Sequence, residues 1–292
     1  MLHPNVWGDG TGPSGGRRRM PRRSTCRPRP DPRLPQLART ATADLRETWL
    51  TRAPIAHRGL HDLAAGRPEN SLAAFARCCA LGFPIELDVR LTRDREVVVF
   101  HDRRLARLTG AAGRVEDRDA ADVTALALLG TTERVPLLRD VLELVAGRVP
   151  LLVELKSAGL SPGLERAVLL ALGGYDGDVA MQSFKRRSVW HLDRYEVTHA
   201  VGHLSHRRAL PAVVQPAFFG CPADALPSRA IARRRAAGAI VLAWTVRSPE
   251  QAAHALRHVD NVIFEGFVPG PGSGVVRGGH LSVPRSAPGA SR

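Results

Sequence analysis

The chain has 292 residues, 44% of them hydrophobic, which supports a sizeable core and excludes disorder throughout. Its net charge of +14 points less to nucleic acid than it suggests: residues 1–50 hold ten Arg against four acids and residues 268–292 three Arg and no acid, which leaves +5 for 51–267. No run of about 18 apolar residues is present, which excludes a transmembrane helix, and the basic N-terminus lacks the apolar stretch of a secretory signal, so a cytoplasmic location is expected.

Residues 1–50, rich in Gly, Pro and Arg, read as a disordered basic extension; an arm that touches anionic surfaces is the functional alternative. From 51 to 269 strand-like and helix-like segments alternate. Short apolar runs lie at 54–57, 84–89, 149–155, 179–184, 199–204, 212–218, 239–246 and 261–264, with a further run at 97–100. Helical patterns fall at 71–81, 137–146, 164–172, 186–194, 223–237 and 249–258. Eight principal runs separated by helix-length segments predict a TIM-type (β/α)8 barrel with a small insertion at 102–135, after the second strand. An open doubly wound sheet is the alternative, because 205–211 is too short for a full helix in the fifth unit. Residues 270–292 read as a disordered tail, and the four cysteines (Cys26, Cys78, Cys79, Cys221) read as free thiols, since none has metal-ligand spacing.

Polar residues gather where the runs end, the rim on which barrel enzymes build their sites. The first run ends in His57-Arg58-Gly59, the second contains Glu86-Leu87-Asp88, the short run after it ends in His101-Asp102, and the third ends in Glu154-Leu155-Lys156. Period-2 alternation puts Glu86 and Asp88 on one face of an apolar strand, where two like charges are costly without a cation. With Glu154 they form an all-oxygen set suited to Mg2+ or Ca2+. The bland reading has Arg58, Arg90 or Lys156 neutralise these carboxylates. Lys156 is one of only two lysines among 42 basic residues. It reads as a phosphate contact or as a salt bridge to Glu154 or Asp88, and Arg58 as a second phosphate contact. His57 and His101 are the candidate acid and base, whereas His191, His199, His203, His206, His254 and His258 read as surface or packing residues. Asn70 or Ser71 reads as a helix N-cap.

Taken in order, HRG, PEN, ELDV, VVVFHD and LARLTG resemble the glycerophosphodiester phosphodiesterase (GDPD) family, with further matches at LLVELK, MQSF, LAWTVRSPEQ and VDNVIFEGFVP. The resemblance covers roughly 53–269. It implies a TIM-type barrel, one divalent cation held by Glu86, Asp88 and Glu154, His57 and His101 as the acid/base pair, and Arg58 and Lys156 on phosphate. It also implies Glu69 as a metal ligand or near neighbour, and Gln182 and Trp244 lining the substrate cleft. The implied reaction is hydrolysis of a glycerophosphodiester to an alcohol and sn-glycerol 3-phosphate. One departure stands out: many members end the last strand in aspartate followed closely by proline, whereas this chain reads Phe264-Glu265-Gly266-Phe267, which bears on selectivity. Two rival readings remain. One is a lysophospholipase D- or sphingomyelinase D-type reaction, with Phe218-Phe219 and 264–267 lining a lipid groove. The other is a non-catalytic phosphate- or lipid-binding module.

Overall fold

A computed structural model of the chain describes residues 48–159, 161–195, 197–206 and 216–270. The extension and tail expected at 1–50 and 270–292 therefore fall almost wholly outside the described residues, as does most of the run at 212–218. At the N-terminal edge the fold begins earlier than the sequence predicts. A short helix, α1 (Trp49–Arg52), places Leu50 fully inside the barrel, and Asn261 Nδ2 donates to the carbonyls of Leu50 and Ala53.

Eight parallel strands close on themselves. These are β1 (Ile55–Ala56), β2 (Ile85–Leu91), β4 (Leu151–Leu155), β5 (Val179–Ser183), β6 (Ala200–Leu204), β7 (Phe218–Pro222), β8 (Ile240–Val246) and β9 (Asn261–Phe264). Each pairs with the next, and β1 bonds both β2 and β9, so the sheet has no free edge and the open-sheet alternative is excluded. A ninth strand, β3 (Val97–Val99), runs antiparallel on β2.

The helices after α1 are α2 (Leu72–Leu81), α3 (Ala106–Thr109), α4 (Ala120–Thr124), α5 (Leu138–Val145), α6 (Gly163–Ala171), α7 (Arg186–Arg194), α8 (Arg229–Ala236) and α9 (Pro249–Leu256). Most follow the predicted pattern, and two short ones, α3 and α4, lie in the insertion. Ser71, not Asn70, caps α2: its Oγ accepts from Ala74 N.

Alternation along the strands sorts the side chains into layers. Ile85, Leu87 and Val89 face the helices with Leu151, Val153 and Leu155, while Ile55, Leu152, Ala180, Phe218, Ile240, Leu242 and Ile263 fill the barrel interior beside Leu50. Each fully buried aliphatic side chain contributes about 1.5–3 kcal/mol. The same alternation on β3 anchors the insertion: Val97 and Val99 join the main core, while Val98 and Phe100 join a separate small core with Leu105, Leu108, Val115 and Val123. Among the described residues no helix is long and apolar enough to cross a membrane.

Two predicted elements are corrected. The sixth strand is Phe218–Pro222, later than the run at 212–218, because Gly220 and Pro222 look like chain breakers in sequence. Gly220 belongs in the strand: a Cβ there would collide with the side chain of Leu204, and one on Gly202 would collide with the Phe218 ring. The helix predicted over 223–237 divides into a 3-10 turn, Ala223–Ala225, and α8, with Pro227 between them. Of the residues that the lipid alternative relied on, Phe218, Phe219 and Phe264 are buried in the cores, and only Phe267 is partly exposed.

Candidate active site

Parallel pairing sets Asp88 beside Glu154 across β2 and β4, and Glu86 lies two residues earlier on the same inward face. All three are buried, at 1%, 0% and 5% exposure for Glu86, Asp88 and Glu154, and one carboxylate oxygen of each lies within 4.8 Å of those of the other two. Burial and the neighbouring Asp88 and Glu154 push the Glu86 carboxyl well up. Glu154 is pushed up to about 7 by burial and by Asp88. Burial also works to raise Asp88, but the charges of Lys156, His101 and Arg58 outweigh it and hold Asp88 well below the usual carboxylate range.

Lys156 Nζ reaches 3.1 Å from Asp88 Oδ1 and 2.5 Å from Glu154 Oε1. Lys156 is thus the cation that these two oxygens meet. Three converging buried carboxylates fit a hard cation: ligand oxygens about 2.1–2.5 Å from a central ion lie at most about 4–5 Å apart. The ion-pair reading of Lys156 and the cation reading of the carboxylates are both met by this geometry.

The loop after β1 supplies the next group. Arg58 sits in the left-handed region at φ 55°, and this turn lets its backbone N–H donate to Glu86 Oε2 at 3.1 Å. Its guanidinium spans Glu69 Oε1 at 2.6 Å and Asp88 Oδ2 at 3.3 Å. Close packing also explains Gly59: at φ 79°, a Cβ would stand 2.9 Å from the Phe75 ring. Glu69 is not part of the carboxylate trio. It accepts from Arg58 and, at 2.8 Å through both oxygens, from Arg107 of α3. Burial opposes its ionisation, but the two arginines win and its pKa is lowered. It thus stands as an anchor for Arg58.

Two further residues were not read as functional from the sequence. Asn70, also left-handed at φ 56°, donates from Nδ2 to Asp88 Oδ2 at 2.9 Å and accepts from the Asp88 backbone N–H at 3.3 Å. It fixes Asp88 twice. Arg90, two residues beyond Asp88 on the same face, donates to the His101 carbonyl at 2.7 and 2.9 Å and to Glu116 Oε1 at 3.0 Å. It ties the strand to the returning hairpin that carries His101. The sequence offered it only as a partner for the carboxylates; the fold shows what it holds.

The histidines are built alike. His57 Nδ1 lies 2.5 Å from Glu265 Oε2, and Glu265 Oε1 lies 2.8 Å from Arg247 Nη2. His101 Nδ1 lies 2.6 Å from Asp102 Oδ1, and Arg107 holds Asp102 Oδ2 at 2.5 Å. Burial lowers the pKa of both rings, against the raising effect of the bonded carboxylates. Hydrogen bonds from His57 and His61 hold Glu265 far below the ordinary value. Asp102 is lowered to about 2, its burial outweighed by the hydrogen bonds from Arg107 and His101. The Glu265 departure therefore lies against His57, where the sequence offered no reading for it beyond selectivity.

These groups open into a cavity of about 1090 Å³ lined by His57, Arg58, Glu86, His101, Glu154 and Lys156, with Gln182, Phe184 and Trp244 on its far wall. Gln182 Oε1 and Trp244 Nε1 are buried without partners among the described residues. His206, expected at the surface or in packing, stacks on Phe184 at 4.0 Å and lines the same cavity.

Comparison with known proteins bears on the family and the fold. The model of the glycerophosphoryl diester phosphodiesterase family matches residues 57–265. A glycerophosphodiester phosphodiesterase of Caldanaerobacter subterraneus subsp. tengcongensis is 37% identical over 146 residues, covering 46% of this chain and 59% of that protein, so the match spans about three-fifths of the relative's length. A Thermotoga maritima glycerophosphodiester phosphodiesterase structure superposes at TM-score 0.60 and 25% identity, over 73% of this chain and 94% of that one. An Oleispira antarctica phosphodiesterase in complex with the product sn-glycerol-3-phosphate has the same fold, at TM-score 0.67 and 24% identity over 74% of this chain and 93% of that one.

Proposed function

Because the chain belongs to the glycerophosphoryl diester phosphodiesterase family, we propose that it hydrolyses glycerophosphodiesters to an alcohol and sn-glycerol 3-phosphate with the help of one divalent cation. The observation that carries this reading is the buried trio Glu86, Asp88 and Glu154, whose oxygens converge and of which Glu86 and Glu154 line one cavity with His57 and His101. The trio would hold Mg2+ or Ca2+, which supplies Lewis-acid stabilisation of negative charge on the phosphoryl oxygens.

The chain's own residues account for the remaining chemistry. With Nδ1 of each histidine given to a carboxylate, Nε2 is the atom left for proton transfer. One Nε2 takes the proton of the attacking hydroxyl as it bonds to phosphorus; where that hydroxyl is the glycerol's own, water then opens the cyclic phosphate to glycerol 3-phosphate. The other delivers a proton to the alcohol oxygen as its P–O bond breaks. Lys156 and Arg58 add positive charge beside the phosphoryl group, as the sequence predicts, while remaining within reach of Asp88. The unpartnered Gln182 Oε1 and Trp244 Nε1 offer one acceptor and one donor to the glycerol hydroxyls. The sn-glycerol-3-phosphate in the Oleispira antarctica relative supports the same product here.

The test is release of glycerol 3-phosphate from glycerophosphocholine by purified protein, with Mg2+, Ca2+ or chelator. Release only with metal is expected. Undiminished release under chelator would sink the metal reading, and no release from any glycerophosphodiester would sink the substrate assignment.

A further inference from the structure

The insertion puts two arginines where no carboxylate among the described residues pairs with them. Leu105 N bonds Gly113 O at 3.1 Å and Val115 N bonds Arg103 O at 3.2 Å, so Arg104 and Arg114 are antiparallel bridge partners. Directly opposed residues of such a pair project to the same side, and like charges there are destabilising. Both line the cavity mouth, and neither forms an ion pair with a carboxylate among the described residues. Their neighbours differ: Arg103 lies 3.6 Å from Glu116 and Arg247 is bonded to Glu265.

A third cation at the mouth, Lys185 after β5, is likewise without an ion pair among the described residues. Arginine bias cannot explain it. The chain uses lysine twice, at 156 and 185, and both line this one cavity. The cavity, about 1090 Å³, also exceeds what glycerol 3-phosphate fills, and pockets of about 300–1,000 Å³ hold drug-sized ligands.

From this arrangement we infer that Arg104, Arg114 and Lys185 form a second anion subsite, which selects phosphodiesters whose alcohol part carries a further phosphate. A choline head group fits the mouth poorly. Phe184, one of the aromatic rings that line the cavity, is already stacked by His206 at 4.0 Å and approached by Lys156 Nζ at 5.7 Å. The surrounding cations would repel a further positive group. The inference rests on the phosphodiesterase reading above.

The test compares kcat/KM of the full chain for glycerophosphoinositol 4-phosphate, glycerophosphoglycerol and glycerophosphocholine, at about 20 mM and about 300 mM salt. The expected order follows head-group negative charge, with at least about a tenfold span at low salt that narrows at high salt. Arg114→Glu combined with Lys185→Glu should abolish or invert the order while leaving glycerophosphoglycerol turnover within about twofold. Equal or better use of glycerophosphocholine by the wild type, or an order unmoved by the double variant, would overturn the subsite. Binding is read separately by calorimetry, with 2,3-bisphosphoglycerate against glycerol 3-phosphate. Equal affinities overturn the subsite even if no diester is cleaved, and failure of all turnover with preferential bisphosphate binding overturns the phosphodiesterase reading alone.

Discussion

His57 and His101 both hand Nδ1 to a carboxylate, yet the two dyads are assembled from different parts of the molecule. His57 meets Glu265, 208 residues away, because β1 and β9 close the barrel: His57 N bonds Phe264 O at 2.8 Å, and Glu265 N bonds Val246 O at 2.9 Å. Its side chain is only 14% exposed. His101 meets Asp102, its neighbour in sequence, at 31% exposure, and Arg107 of the insertion ties that pair to Glu69 and so to Arg58. Barrel closure sets one dyad, and the insertion's packing on the β2–β3 hairpin sets the other. The buried dyad should depend more sharply on its single carboxylate, since a charged hydrogen bond counts for more out of water.

The largest expected effect is common to both sides. His57→Ala and His101→Ala should each lower kcat/KM about 10²–10⁴-fold with the fold intact by circular dichroism. Near-normal turnover of either purified variant would remove that histidine from the reaction.

Next come the supporting carboxylates, where the two sides should separate. Glu265→Gln should cost about 10–100-fold and Asp102→Asn about tenfold or less. Equal losses would erase the distinction between buried and rim dyads. The pH profile sharpens it. Burial lowers both histidines, so the acid limb of kcat/KM should lie below the ordinary histidine value of 6.5. Glu265 works to raise His57, so its removal should carry the limb that His57 governs to still lower pH; a shift of that limb upward would contradict the dyad.

Smallest is Arg107→Ala, expected to change turnover no more than about threefold and stability by no more than about 1 kcal/mol, because its ion pairs are 46% exposed on the arginine side. Thermal melts and steady-state rates read both. A loss as large as that of Glu265→Gln would mean that the insertion governs His101 as firmly as the barrel governs His57.

Much of this site was legible in the sequence wherever the information is local. Period-2 alternation is a backbone property, so Glu86, Asp88 and Arg90 could be placed on one face from the strand alone, and strand ends fall at the barrel mouth wherever the strands run parallel. What could not be read is what a residue meets across the fold. Glu265 lies at the far end of the chain from His57. Asn70 looked like a helix cap because Asn before a helix usually is one, yet Ser71 took that role and freed Asn70 to hold Asp88. Strand β7 was displaced because Gly220 and Pro222 carry turn signals that tertiary packing overrides, with Leu204 needing the space that a Cβ on Gly220 would fill.

The central claim, that the three carboxylates form a cation site, also has a signature in stability. Glu154 has an ordinary pKa of 4.5 and a folded value of about 7, so the metal-free fold holds a proton that the unfolded chain has shed, and loses stability as pH rises through that window. Glu86 is shifted in the same direction. A bound cation offsets this loss, so its effect should grow with pH. The most direct measurement is the rise in Tm with saturating Mg2+ or Ca2+ at about pH 5.5 and about pH 8, for the wild type and for Asp88→Asn. The account predicts a rise that is larger at the higher pH and nearly absent in the variant. A rise of equal size at both pH values that persists in Asp88→Asn would contradict it.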